Sequence, residues 1–305
     1  MNYIELAKKI EERKAIVPGH RTCPGCPIAI ILRTAYASTD KPVITSSATS
    51  CAEVTTTIYP YTSWNTPWIH SVFANAAATI SGVETAYKLL KKKGEIKKDI
   101  KFMAFAGDGG SFDIGLQALS GALERGHDFV FVCYDNEGYQ NTGAQKSSAT
   151  PYGTSTTTTP GGKIDVQKDL AKIAIAHKIP YVATASPGNI FDMQEKFRKA
   201  FEKKGPAVII VYAACPTNMK APENLTITIS KLAEQTNFWP LYEYEDGKYK
   251  INYKIEKRKP IEEFLKMQTK FRGIIKNKEE IKKIQKKIDD DFDELLKLEK
   301  AFPLK

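Results

Sequence analysis

The 305 residues are 42% hydrophobic and 26% charged, a composition that suits one large α/β domain with an appendage. No run of about 18 apolar residues occurs, and the opening MNYIELAKKIEERK carries charge where a signal peptide needs its apolar stretch, so a cytoplasmic chain without a membrane span is expected. The net charge of +10 is concentrated: from Lys248 onward 18 Lys/Arg face 11 Asp/Glu, which puts +7 of it in a basic tail, and neither recognition-helix nor zinc-finger spacing points to nucleic acid.

In chain order, the first informative segment is Cys23-Pro24-Gly25-Cys26. Gly25 relaxes the tight turn that lets two sulfurs converge. Pro27 suits the first position of a helix, which leaves Cys26 near a helix N-terminus where the dipole favours a thiolate. His20, three residues upstream, reads as a surface or supporting group rather than a ligand. Cys51 follows in TSCAEV. Residues 70–93 are predicted helical, with small faces at Ala74, Ala76, Ala77, Ala78, Ser81 and Gly82. His70 would begin that helix as a capping or core residue, the alternative being a group that faces cofactor or substrate.

Residues 101–106 form a predicted strand that breaks at Gly107-Asp108-Gly109-Gly110 and leads into a helix over 114–125. The next strand, 129–134, contains Cys133 as a small buried hydrophobe. Residues 153–162, GTSTTTTPGG, read as a long loop. A helix (166–178), strand (181–185), helix (190–204) and strand (207–213) follow, and Cys215 lies just beyond the last. His127 and His177 fall at helix ends, where a structural role suffices. Strands alternating with helices imply right-handed crossovers and a parallel sheet covered by helices on both faces. The composition shifts in the tail, dividing the chain into 1–247 and a basic helical extension, 248–305. In it Asn277 and Glu280 make a capping box, and Ile281, Ile284, Ile288, Phe292 and Leu295 form an apolar stripe that packs on the core or covers a partner chain.

Cys23, Cys26, Cys51 and Cys215 all lie outside predicted strands and suggest one metal centre. Structural zinc usually takes two local pairs, whereas here one pair joins two distant singles. That favours an iron–sulfur cluster and leaves zinc, or unligated thiols, as alternatives. The GDGG turn joins a strand to a helix N-terminus, where Gly107, Gly109, Gly110 and Ser111 would let backbone amides approach a diphosphate. Asp108 is misplaced for an anion unless a divalent cation lies between, which suggests Mg²⁺. Asn136, at the end of the next strand in YDNEGYQNTG, can meet the same ion, with the Gly138 carbonyl as a third ligand. This pattern looks like the thiamine diphosphate fingerprint.

Taken together, GHRTCPGC, SCAEVTTTIYP, FAGDGGSFDIGLQALSGALERG, CYDNEGYQNTGAQ and ACPT resemble the β subunit of the multi-subunit 2-oxoacid:ferredoxin oxidoreductases over residues 17–220, nearest to its pyruvate branch, pyruvate synthase. The resemblance implies a thiamine diphosphate-binding fold, one [4Fe–4S] cluster on Cys23, Cys26, Cys51 and Cys215, and Mg²⁺ on Asp108, Asn136 and the Gly138 carbonyl. It places Asn141 and Thr142 over the reacting end of the cofactor. The family's usual residue after the second cysteine is Gly; Pro27 stands there in this chain and alters the local loop. The implied reaction is reversible oxidative decarboxylation of pyruvate with CoA and ferredoxin to acetyl-CoA and CO2. Implied partners are an α-type subunit carrying the pyrimidine-domain glutamate, further subunits including one with ferredoxin-type [4Fe–4S] clusters, and external ferredoxin. The same role with a branched 2-oxoacid such as 2-oxoisovalerate, or a non-redox thiamine enzyme subunit with structural zinc, are the alternatives.

Overall fold

A computed structural model describes residues 2–304. Its strands are β1 (Val43–Ala48), β2 (Trp68–Ser71), β3 (Lys101–Gly107), β4 (Val130–Asp135), β5 (Tyr181–Ala185), β6 (Ala207–Tyr212), β7 (Tyr242–Glu245) and β8 (Lys248–Ile251). They form one sheet in the order β2-β1-β3-β4-β6-β5-β7-β8. The first six are mutually parallel, and β7 and β8 extend the β5 edge antiparallel.

Side chains alternate across a strand, and here both sides are buried. On β3, Met103 and Phe105 enter one core layer while Phe102, Ala104 and Ala106 enter the other. On β4, Val130, Val132 and Tyr134 oppose Phe131 and Cys133 in the same way. Cys133 is fully buried, as a small hydrophobe should be. The chain leaves β1 for β2 on one side and returns to β3 on the other, so the carboxyl ends of β1 and β3 flank a topological switch point, where open α/β sheets place their ligands.

Several predicted elements shift. Residues 70–75 are not helical: the helix is Ala76–Lys92, and His70 lies on β2, paired parallel with β1. The helix expected from 166 begins at Leu170, because the Asp169 side chain accepts the Lys172 N–H and caps it there. The division at 247/248 falls in the turn of the β7–β8 hairpin, so Lys248–Ile251 belongs to the sheet. Farther on, Asn277 accepts from the Glu279 and Glu280 amides at the start of the helix Lys278–Ala301. That helix's apolar stripe packs on this chain's own core, with Leu295 and Phe292 in one cluster and Ile281, Ile284 and Ile288 in another. Among the described residues no helix is long and apolar enough to cross a membrane.

Candidate active site

Two hollows open side by side beyond the carboxyl ends of the central strands. The first is a narrow cleft between Thr49–Cys51 after β1, the GDGG turn after β3, and residues 136–142 after β4. The second is a cavity of about 220 Å³ lined by Cys23, Cys26, Cys51 and Cys215. Cys51, Asn136, Gln140 and Asn141 line both, so one wall separates the two spaces.

The GDGG turn enters a single π-type turn, Gly109–Asp113, before the helix Leu116–Glu124. Such turns are rare and occur frequently at functional sites. Tyr139 lies across it: its hydroxyl donates to the Gly109 carbonyl at 3.1 Å, and a Cβ on Gly109 would sit 2.2 Å from the ring. Only glycine fits. Gly107, Gly109 and Gly110 line the cleft, whereas the Ser111 hydroxyl turns back onto the Gly107 carbonyl at 2.8 Å and stays out of the lining.

Asp108 is 1% exposed, and its Oδ2 accepts from Ser147 Oγ at 2.5 Å. Its other oxygen lies 2.8 Å from the Asn136 side-chain amide, which in turn lies 2.9 Å from the Gly138 carbonyl. With its nitrogen toward them the Asn136 amide donates to both; turned over, its oxygen joins Asp108 Oδ1 and the Gly138 carbonyl as a donor set for a cation. Oxygens bound side by side to an octahedral Mg²⁺, at 2.0–2.1 Å each, lie about 2.9 Å apart. The donor set therefore fits that ion. Burial pushes the Asp108 carboxyl up to about 7 despite the hydrogen bond from Ser147, and a divalent charge would hold it ionised.

The loop that carries Asn136 and Gly138 is braced from outside. Between them Glu137 takes a positive φ of 64°, and its amide donates to Asp135 Oδ1 at 2.9 Å. Its carboxylate pairs with Lys270, from the C-terminal segment; both side chains are 1% exposed. The Thr-rich stretch, expected as a long loop, ties the two regions together: the Thr157 amide and hydroxyl donate to Ala144 O and Gly143 O, and the Ser155 amide donates to Lys270 O. Asn141 and Thr142 lie at the mouth, exposed.

Around the second cavity, Gly25 has a φ of +73°, and a Cβ there would meet the Glu223 carbonyl oxygen at 2.1 Å. The CPGC turn can seat against that backbone only with glycine. The helix after Pro27 runs from Ile28 to Ala37, and Cys51 opens the helix Cys51–Thr56. The expected depression of the Cys26 thiol by its helix does not prevail. Burial pushes Cys26 and Cys51 up to about 12, outweighing the Ile28 amide beside Cys26, and raises Cys215 as well. Raised in this way, Cys26, Cys51 and Cys215 become thiolates against a cationic centre, while Cys23 is exposed at the rim. The Thr217 and Asn218 amides point at the Cys215 sulfur, while the Asn218 side chain donates to the Asn136 carbonyl at 2.8 Å.

His70 stands beside the cleft rather than in it, with Nε2 2.7 Å from Thr49 Oγ1 and its ring stacked on Trp68. His127 meets Glu84 and His177 meets Ser120, both away from either lining, whereas His20 meets Thr22, which lines the cysteine cavity. Ser147, Tyr139, Asn218 and Lys270 are the supporting residues that sequence reasoning missed. Asn218 had a signal in its closeness to Cys215. Lys270, 133 positions from Glu137, had none.

Residues 44–211 match the thiamine pyrophosphate enzyme C-terminal TPP-binding domain. The chain is 45% identical over 316 aligned positions to pyruvate synthase subunit PorB of Thermotoga maritima, covering 99% of this chain and 97% of that one. This chain belongs to the PorB family of pyruvate synthase subunits. It is also 42% identical, over 98% of its length and 100% of the relative's, to the ketoisovalerate oxidoreductase subunit VorB of Pyrococcus horikoshii. In shape it resembles a chain of 2-oxoglutarate:ferredoxin oxidoreductase from Magnetococcus marinus, with a TM-score of 0.59 and 24% identity over 68% of each chain. That likeness supports the fold described above.

Proposed function

We propose that this chain is the thiamine diphosphate-binding β subunit of a pyruvate:ferredoxin oxidoreductase and carries Mg²⁺ and one [4Fe–4S] cluster. The observation that carries the reading is the shared wall: a three-oxygen cation cradle and a four-cysteine cavity meet through Cys51, Asn136, Gln140 and Asn141. Asp108, Asn136 and the Gly138 carbonyl would hold Mg²⁺ against the diphosphate, and the GDGG amides would face its oxygens. Asn141, on the wall, would orient the reacting end, with Thr142 beside it. Bound thiamine diphosphate supplies the nucleophilic carbon that takes up the keto carbon of the substrate and retains the electron pair left by decarboxylation. A cluster on Cys23, Cys26, Cys51 and Cys215 supplies a one-electron acceptor next to it.

The cysteines favour a cluster over zinc. Tetrahedral zinc, with bonds of about 2.3 Å, needs sulfurs about 3.8 Å apart. Here one local pair joins two distant singles, and all four cysteines line one cavity, a pattern that suits a cluster better than two local zinc-binding pairs would.

Asp108 is the single carboxylate lining the cleft among the described residues, and it faces the cation cradle. The resemblance to the 2-oxoacid:ferredoxin oxidoreductases assigns the carboxylate that activates the aminopyrimidine to an α-type subunit. Val72 and Phe73, 61% and 39% exposed beside the cleft, offer that partner apolar surface. A further subunit with ferredoxin-type clusters would pass electrons on to external ferredoxin. Pyruvate is the proposed substrate, and the 42% likeness to the ketoisovalerate subunit makes a branched 2-oxoacid the second reading.

The test is the anaerobically purified complex. Iron and acid-labile sulfide in equal amounts on this subunit, a colour bleached by reductant, and fastest turnover with pyruvate in a 2-oxoacid panel are expected. Zinc in place of iron would overturn the redox assignment, and preference for 2-oxoisovalerate would overturn the substrate.

A further inference from the structure

We infer that Lys270, in the C-terminal segment outside the thiamine-binding region, is a positioning residue for the metal-binding loop. The inference rests on the proposed Mg²⁺–thiamine diphosphate site and names a device that holds it in shape.

The Asn136 side-chain amide sits between Asp108 Oδ1, at 2.8 Å, and the Gly138 carbonyl, at 2.9 Å, so Asn136 and Gly138 bring polar groups to one place beside Asp108. For two residues that flank a third to face the same way, the middle one must turn outward, and Glu137 does so at a φ of 64°. A left-handed conformation is costly for a residue with a Cβ and persists where surrounding contacts impose it. Three contacts do. Asp135 Oδ1 accepts the Glu137 amide at 2.9 Å, Thr150 Oγ1 donates to the Glu137 carbonyl at 2.8 Å, and Lys270 Nζ holds the carboxylate. The first two come from close in sequence. Lys270 comes from the short turn Thr269–Phe271, whose own carbonyl is tied to the Ser155 amide at 3.0 Å. Because Glu137 and Lys270 are both 1% exposed, neither charge can turn to water if its partner leaves. The C-terminal segment is therefore built into the cofactor site rather than appended to it.

Charge alone predicts the opposite outcome from positioning. Removing the Lys270 cation leaves one more negative charge near the cradle, which by Coulomb attraction strengthens cation binding. Removing a positioning contact lets the loop relax and weakens it.

The test uses the complete complex, stripped of metal with chelator and titrated with Mg²⁺ at saturating thiamine diphosphate by calorimetry. Lys270→Met is expected to weaken Mg²⁺ binding at least tenfold with the iron content unchanged. Lys196→Met is the control: it removes another lysine that is 1% exposed and ion-paired, here with Asp192, and should leave Mg²⁺ affinity at the wild-type value. If Lys270→Met fails to assemble, the neutral pair Glu137→Gln with Lys270→Met removes both buried charges, leaves the net charge unchanged and should keep the tenfold loss. Unchanged or tighter Mg²⁺ binding in Lys270→Met, or wild-type affinity in the neutral pair, would overturn the inference. Absence of Mg²⁺-dependent thiamine diphosphate binding in the wild-type complex would instead sink the cofactor reading beneath it.

Discussion

Replacing Asp108 with Asn should stabilise the metal-free protein and abolish its response to cofactor. The carboxyl is raised from its ordinary 3.8 to about 7 by burial. At about 1.36 kcal/mol per pH unit, the ionised group costs the fold on the order of 4 kcal/mol at pH 8. The sign follows from the raised value. The folded protein holds this proton more tightly than the unfolded chain, so the stability it contributes is full below about 4 and is lost as pH rises through 7. Asn keeps the shape and can still accept from Ser147, but it never ionises. At pH 8 the metal-free variant should therefore melt on the order of 8 °C above wild type, at about 2 °C per kcal/mol for a chain of this size, and at pH 4 the two should converge. Cofactor narrows the gap: Mg²⁺ and thiamine diphosphate at 100 times their dissociation constant add about 2.7 kcal/mol to wild type and nothing to the variant, which leaves the variant ahead by about 1 kcal/mol. Scanning calorimetry of the complex at both pH values, with and without Mg²⁺ and thiamine diphosphate, measures all of these quantities. A variant that keeps its cofactor-dependent shift, or that melts below metal-free wild type at pH 8, would refute the reasoning.

Cys51→Ser and Cys215→Ser should each lose iron and sulfide on chemical analysis, whereas Cys133→Ala, inside β4 and away from the cavity, should retain both. Gly25→Ala forces a side chain into the Glu223 carbonyl at a left-handed φ; it should lower iron content while circular dichroism reports an intact sheet, and full iron occupancy would contradict the packing argument. The isolated chain should release no CO2 from any 2-oxoacid and recover that activity with an α-type subunit. Ferredoxin reduction, measured separately, should further require the subunit with ferredoxin-type clusters.

Local chemistry made much of this legible. The GDGG turn, Asn136 and Gly138 are short-range features, and strand-to-helix punctuation located them without knowledge of the sheet order. The four cysteines stood out as thiols beyond strand ends. Elements defined by distant partners were harder to read. β2, partly exposed and four residues long, was absorbed into the alanine-rich run that follows it. The β7–β8 hairpin did leave a local trace: Asp246-Gly247, both at positive φ, sits between alternating Tyr242, Tyr244, Tyr249 and Ile251, the pattern of a two-residue hairpin turn. It went unread because the basic composition of the tail drew the boundary there. The Lys270–Glu137 pair left no trace at all, since a lysine in a lysine-rich tail is distinguished only by what it touches.

The closeness of the two centres is set by the sheet rather than by either loop. Asn136 follows β4 directly and Cys215 follows β6 by three residues, and these strands are neighbours, in register at Asp135 and Tyr212. Parallel neighbours lie about 4.8 Å apart, so residues leaving their ends emerge within one strand spacing of each other. The link continues past the last ladder pair: the Ala213 amide donates to the Asp135 carbonyl at 2.7 Å, and Asn218 Nδ2 donates to the Asn136 carbonyl at 2.8 Å. Asn136 thus turns its side chain toward Asp108 and its carbonyl toward the segment that carries Cys215. A separation set by backbone hydrogen bonds in a buried ladder cannot lengthen without breaking the ladder. That rigidity suits the proposed division of labour, in which electrons leave one centre for the other across a wall the width of a single residue.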